Sequence, residues 1–200
     1  MKLNYIGGIP DDMFIRGDVP MTKEEIRTIT LSKIKINDGD TIVDIGAGTG
    51  SITIEAALLC PAGKVYAIEQ NSKAVEIIEK NIEKFKVKNV KVIQDMAPSG
   101  LENLSKVNCV IVGGSKGNLN KIIEWSTKHL DEDGRIVGNF IVLENSVEFI
   151  KLLKENGFQC EIVNVCLSKG REIGGKTMME GLNPISIVTG KKTKNREVEV

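Results

Sequence analysis

TIVDIGAGTG, Thr41 to Gly50, decides the fold of this 200-residue chain. Its first half is apolar and β-branched and reads as a buried strand. Gly46, Gly48 and Gly50 follow at alternate positions, where the backbone can turn sharply and approach a ligand with no Cβ in the way. Ser51 to Leu59 then reads as a helix whose N-terminal amides face the same place. KVYAIE, Lys64 to Glu69, reads as the next strand, and Glu69 at its end is placed to accept both hydroxyls of a ribose. Strand, glycine turn, helix and acid together suit a nucleotide-like ligand.

The spacing narrows the ligand. A dinucleotide fingerprint is G-x-G-x-x-G, whereas this chain has G-x-G-x-G with Asp44 just before it. A carboxylate there repels a pyrophosphate but suits a ligand carrying an ammonium and a sulfonium. S-adenosylmethionine has both, with an adenosine for Glu69 and a carboxylate for the helix N-terminus. The stretch Asp44, Gly46, Ala47, Gly48, Thr49 and Gly50 resembles motif I of the Rossmann-like methyltransferases. An ordinary tight turn and an NAD site are the two alternatives at this point.

Composition fits one enzyme domain over 1–190, with an irregular lead at 1–21 and a charged tail at 191–200. The 41% hydrophobic content is that of a globular chain, and 27 basic against 27 acidic residues give no footprint for nucleic acid. No stretch is long and apolar enough for a membrane span, and the N-terminus lacks a signal-peptide core, so a cytoplasmic location is expected. Cys60, Cys109, Cys160 and Cys166 lack metal-ligand spacing and read as small buried hydrophobes. With His129 the single histidine, no metal site is expected.

Along the chain, Thr22 and Glu25 form a T-x-x-E capping box that opens a helix to about Lys35, with Ile26, Ile29 and Ile34 inward. Asn71 or Ser72 caps a helix carrying Val75, Ile78, Ile82 and Phe85. Strands are expected at 90–94, 107–112 and 135–143, with a helix marked by Leu119, Ile122 and Ile123 between the last two. Val147, Ile150 and Leu153 mark another helix, stopped at Gly157. Two final strands, 158–167 and 184–190, are joined by a loop and should run antiparallel at one edge. The expected architecture is α/β: a Rossmann-like class I methyltransferase with a seven-stranded, mostly parallel sheet and an antiparallel edge strand.

In such a sheet the ligand lies beyond the carboxyl ends of the strands, near the switch point between the first and fourth. That brings in Asp95, placed to bond an adenine amino group, and Met96 and Ala97, which would pack on its ring. It also brings in Gly113 of the segment VGGS, where two glycines stand instead of an N-P-P-Y motif for a flipped base.

The lead GIPDDMFIRGDVPMTKEEIR, the motif DIGAGTGSIT, the segments GGSKGNL and GRIVGNFIVLEN and the tail SKGREIGGKTMMEGLNPISIVTG together resemble the cobalamin-biosynthesis family CbiT. The same unit forms the C-terminal half of the fused enzyme CobL. The resemblance implies methylation of carbon 15 of a cobalt-precorrin with loss of carbon dioxide from the acetate on ring C, and it implies a homotetramer. Carried over by position, the family's cofactor contacts fall on Thr22, Gly46 to Gly50, Glu69 and Ala97. The chain departs twice: Met21-Thr22 follows Pro20 where the family often has G-P-T, and Asp95-Met96-Ala97-Pro98 stands where it often has G-D-A-P.

Such chemistry asks little of side chains, because alignment and exclusion of water accelerate most of a methyl transfer. A meso carbon of a reduced tetrapyrrole is already nucleophilic, so no catalytic base is named. The substrate's carboxylates do call for cations, and Arg16, Lys169, Arg171 and Lys176 lie in the segments most peculiar to the family. Asn139 and Glu144, at the end of the fifth strand, are further substrate-side candidates. Two rivals remain: a methyltransferase for another acceptor such as tRNA or a protein carboxylate, and an NAD-binding enzyme or nucleotide-binding regulator.

Overall fold

In the computed structural model, which describes residues 7–192, strand β1 (Thr41–Ile45) stands at the centre of the molecule. Around it follow α1 (Glu24–Ile34), α2 (Ser51–Leu59), β2 (Lys64–Ile68), α3 (Ser72–Phe85), β3 (Val90–Ile93), β4 (Val107–Val112), α4 (Leu119–His129), β5 (Leu130–Phe140) and α5 (Leu143–Glu155). The chain closes with β6 (Phe158–Val165), β7 (Ser168–Ile173), β8 (Lys176–Gly181) and β9 (Ile185–Lys192). The main sheet has seven strands in the order β3-β2-β1-β4-β5-β9-β6.

β1 is parallel to both β2 and β4, with Ile45 opposite Ile68 on one side and Val112 on the other. Side chains alternate across a strand, so β1 feeds two cores. Val43 and Ile45 pack with Val110, Val112, Ile136 and Phe149, while Ile42 packs with Ile111, Ile34 and Ile54 on the other side. Asp44 follows Ile42 by two residues and therefore faces α2. Strands buried on both faces read as continuous apolar runs, which is why VNCVIV and TIVDI carry no polar alternation.

Several expectations need correction. The final pair, β6 and β9, runs antiparallel at one edge as expected, but the strand that opposes the rest of the sheet is β9, one place in, with β6 outermost. The segment expected to be a loop between the last two strands is a hairpin, β7 paired antiparallel with β8, and both strands are exposed throughout. A half-buried strand announces itself by alternation, and a fully exposed one has no such signal. The capping box does not form: α1 is capped at Lys23 without a side-chain bond. Of the expected face of α5, Leu153 is buried but Val147 is 56% exposed, and Phe149 takes its place in the core. Cys60 and Cys109 are buried, but Cys160 is half-buried and Cys166 exposed. Burial pushes the Cys60 and Cys109 thiols up to about 11 and about 12. Of the charged tail, Lys191 and Lys192 belong to β9, and 193–200 lie outside the described residues.

Candidate active site

Beyond the carboxyl ends of β1, β2 and β4 lies a cleft of about 890 Å³. Its floor is stitched together by backbone. Gly46 and Ala47 N–H donate to the Ile68 carbonyl at 2.9 and 3.3 Å, and Gly113 and Gly114 N–H donate to the Ile45 carbonyl at 2.8 and 3.3 Å. The two turns therefore touch, and a Cβ on Gly46 would sit 2.8 Å from both the nitrogen and the oxygen of Gly114. With φ at +70° as well, this position requires glycine.

Glu69 closes the β2 side. Its Oε2 accepts from the Gly48 N–H at 3.0 Å and its Oε1 from the Asn71 N–H at 2.9 Å. An ionised carboxylate has about four lone-pair sites, so two remain for a ligand. Asp44 is buried beneath the glycine loop and accepts from the Thr53 hydroxyl at 2.5 Å. Burial pushes its carboxyl up to about 6, and the nearby Glu69 charge adds to the rise, against the lowering effect of Thr53. Thr49 Oγ1 is buried with no hydrogen-bond partner.

The N-terminal lead forms the opposite wall. Arg27 is fully buried; its Nε bonds Glu55 at 2.5 Å, its Nη1 reaches the Thr22 carbonyl at 2.6 Å and Asp11 at 3.2 Å, and its Nη2 bonds the Ile9 carbonyl. Glu55 accepts in turn from the Gly8 and Ile9 N–H groups. The Arg27 guanidinium lies 4.8 Å from the Phe14 ring centroid. Buried Asn81 joins the lead to the glycine loop, pairing with both backbone groups of Ile15 and donating to the Thr49 carbonyl at 2.9 Å. These bonds set Val19 to Thr22 against the cleft.

Thr22, Asp44, Gly46, Ala47, Gly48, Thr49, Glu69, Asp95, Met96, Ala97, Gly113 and Asn139 all line this cleft. Asp95 is exposed there and accepts from the Met96 N–H at 2.7 Å. Gly50 does not line it: it is the N-cap of α2, with φ at +74°, and a Cβ there would meet Ile78 at 3.1 Å. The cation group expected from the sequence is not gathered here. Among the described residues Arg16, Lys169, Arg171 and Lys176 lie outside the lining, as does Glu144. Lys169 bonds Glu25 of α1 at 2.7 Å, which raises the lysine's pKa. Burial raises that of Glu25, but the bond to Lys169 and its charge outweigh it and the net shift is downward. Arg171 faces Glu180 at 4.0 Å across the hairpin.

Residues that the sequence reading passed over also matter. Lys23 and Lys116 are the cations that line the cleft, and Lys116 holds an uncommon left-handed backbone with φ at +48°. Its only signal in the sequence is its place in GGSKGN after β4. Arg27 and Asn81 carried no signal, because each sits in a helix rich in charges that look solvated, and Glu55, the one charged residue of the apolar stretch SITIEAALL, was passed over. Asn183, Leu182, Leu167 and Ile185 reach the cleft only because the hairpin folds their segment back.

Residues 12–192 match the precorrin methyltransferase domain. The chain is 43% identical over 188 residues to the probable cobalt-precorrin-6B C(15)-methyltransferase (decarboxylating) of Sulfurisphaera tokodaii, covering 92% of this chain and 97% of that one. It resembles the crystal structure of precorrin-6y C5,15-methyltransferase from Geobacter metallireducens, with a TM-score of 0.90 and 35% identity over 94% of this chain and 100% of the other. It also resembles precorrin 8W decarboxylase from Methanobacterium thermoautotrophicum, with a TM-score of 0.86 and 32% identity over 91% and 98% of the two chains.

Proposed function

The chain belongs to the precorrin methyltransferase family, and from that premise we propose that it is a decarboxylating C-methyltransferase of anaerobic cobalamin biosynthesis. It methylates carbon 15 of a cobalt-precorrin and removes carbon dioxide from the ring C acetate, with S-adenosylmethionine as cofactor. One observation carries the reading: the likeness to the Sulfurisphaera tokodaii protein runs over 92% of the chain.

The site's chemistry supports the cofactor. Asp44 is a buried carboxylate whose raised pKa reports the want of a cation, and the ammonium and sulfonium of S-adenosylmethionine would supply one. Thr49 offers a buried hydroxyl without a partner. When bound, the cofactor supplies an electrophilic methyl group. Glu69 receives the ribose hydroxyls while fixing Gly48, and the N-terminal amides of α2 face the amino-acid carboxylate. Asp95, Met96 and Ala97 would border the adenine, and Thr22, which lines the cleft from the lead, would face the cofactor from the other side. Gly113 lets the two turns pack, since a Cβ there would lie 3.0 Å from the Gly46 carbonyl oxygen, while Gly114, beside which a Cβ would meet nothing within 4 Å, leaves room for a flat macrocycle.

The substrate's carboxylates fall to Lys116 and Lys23 at the cleft and not to the hairpin cations. The hairpin serves a different purpose. A lone two-stranded hairpin is marginal in water, and Ile173, Met178 and Met179 are 49%, 49% and 63% exposed on it. This supports a homo-oligomer, a tetramer in our reading, with the hairpins between copies. The 27:27 charge balance supports a small-molecule partner and no nucleic acid. Among the described residues no helix is long and apolar enough to cross a membrane, and we place the enzyme in the cytoplasm.

Thermal unfolding with S-adenosylhomocysteine or NAD tests the cofactor. A ligand at a hundred times its Kd stabilises by about 2.7 kcal/mol. S-adenosylhomocysteine should raise Tm and NAD should not; stabilisation by NAD alone would overturn the reading.

A further inference from the structure

The turn that carries Lys116 into the cleft is built against the preference of its own residue. Asn118 N–H donates to the Ser115 carbonyl at 2.9 Å, which closes a four-residue turn over 115–118. Its two central residues, Lys116 and Gly117, have φ at +48° and +85°. That is the pattern of a type I′ turn, whose first central position favours asparagine, aspartate or glycine. A lysine there takes its Cβ into a backbone region that glycine alone enters freely. Such strain persists where the surroundings fix it, and it gathers at functional sites.

The turn is pinned at both ends. Before it, Gly113 and Gly114 are held to the Ile45 carbonyl, where β1 runs into the glycine loop. After it stands Asn118, the residue that opens α4. An asparagine in that place ordinarily turns its side chain onto the first amides of its own helix. Asn118 does not: with φ at −97° and ψ at 19°, its side chain makes no cap bond. Its Nδ2 instead reaches the Ala97 carbonyl at 3.1 Å, across 21 residues of sequence. Ala97 is buried on the loop after β3 and lines the cleft, whereas Asn118 does not line it. Of the two cations at the cleft, Lys23 lies 3.7 Å from the Asp11 carboxylate, and exposed Lys116 has no ion-pair partner among the described residues.

We propose that Asn118 is a positioning residue for the substrate: through Ala97 it fixes the turn that presents Lys116 to a carboxylate of the tetrapyrrole. The inference rests on the functional reading above and deepens it. Methyl transfer needs the acceptor carbon in line with the departing methyl, and a misplacement of about 1 Å can cost about a hundredfold. A lysine ammonium rides on a flexible four-carbon stem, so it sets the macrocycle's place only if the backbone sets the lysine's. A turn held at its first end alone would relax toward cheaper backbone and swing the lysine with it. Tied to Ala97, the cation that meets the substrate and the loop beside the adenine keep one spacing.

The full chain, S-adenosylmethionine and a cobalt-precorrin make the assay, with methylated product read by mass spectrometry, S-adenosylhomocysteine affinity by calorimetry and the fold by thermal melting. Asn118→Ser keeps a good capping residue but is too short to reach Ala97. It should lower kcat/KM about fivefold, with the S-adenosylhomocysteine Kd within about threefold of wild type and Tm within about 4 °C. Lys116→Gly should lower kcat/KM about tenfold and raise Tm, because glycine relieves the turn. In the double variant the loss should stay within about twofold of that in Lys116→Gly, since the tie has no lysine left to position. A residue that merely supports α4 would act as strongly in the double variant as alone, and the losses would multiply to about fiftyfold. That product, an unchanged kcat/KM in Asn118→Ser, a matching loss of S-adenosylhomocysteine affinity in it, or a Tm lowered by Lys116→Gly would overturn the inference and spare the function. A wild-type chain that methylates no tetrapyrrole would overturn the function and this inference with it.

Discussion

Replacing Glu69 by alanine separates the two tasks the structure gives this side chain. Its carboxylate fixes the glycine loop through the Gly48 N–H at 3.0 Å and the start of α3 through the Asn71 N–H at 2.9 Å. In our reading it also takes the ribose hydroxyls. The two amides border an open cleft, so water can replace the carboxylate there, and the loss of folding stability should be about 1 kcal/mol, or roughly 2–4 °C in Tm. The ribose has no such substitute. Losing charged hydrogen bonds to it should weaken S-adenosylhomocysteine by about 1.5–3 kcal/mol, about 10- to 150-fold in Kd. Glu69→Gln keeps one acceptor oxygen and should fall between. Calorimetry gives Kd, and circular dichroism melting gives the fold. An unchanged Kd in a folded Glu69→Ala protein would refute the ribose assignment. Collapse of Tm by more than about 10 °C would show that holding the loop is the residue's main work.

Asp44 should make cofactor binding pH-dependent. Its carboxyl is raised from 3.8 to about 6, chiefly by burial, so the protein takes up a proton as pH falls through that value, and a cationic ligand binds the ionised form. Affinity for S-adenosylmethionine should therefore fall up to about tenfold per pH unit below pH 6 and level off above it; a flat profile in calorimetry, or a persisting slope in Asp44→Asn, would contradict this. Arg27→Ala strands the buried Glu55 charge and should cost about 3–5 kcal/mol in denaturant unfolding, with weaker cofactor binding as the lead loosens; a loss below about 1 kcal/mol would remove the strap from the account. Lys116→Ala should lower kcat/KM for the tetrapyrrole about tenfold, roughly 1.4 kcal/mol, without altering S-adenosylhomocysteine affinity, whereas Arg171→Ala in the hairpin should change it less than twofold. The reverse order would return the carboxylate clamp to the hairpin.

The parts of the fold that were legible in the sequence are those where burial and backbone geometry leave few options. TIVDI and VNCVIV are buried on both faces and cannot be anything but central strands, and Gly46 is forced by a 2.8 Å approach to Gly114. Glu69 could be read because a strand's end fixes where its side chain points. The hairpin was illegible for the opposite reason: every residue of KTMMEG is exposed, so no face selects apolar residues. The capping box failed because the Thr22 carbonyl is engaged by Arg27, and the helix starts a residue later than a Thr22 cap requires. Arg27, Glu55 and Asn81 act at sequence separations of up to 66 residues, which no local pattern encodes. Lys169 and Arg171 were drawn to the substrate by their charge and by their place in segments peculiar to the family, neither of which says that Glu25 and Glu180 stand beside them in the fold.

The central claim is one site that both methylates and decarboxylates a cobalt-precorrin. The most direct measurement follows S-adenosylmethionine with a labelled methyl through a single turnover on that substrate. The account expects the label on carbon 15 and one carbon dioxide released for each methyl transferred. Label absent from the macrocycle, or fixed there with the ring C acetate still intact in the wild-type product, would contradict it.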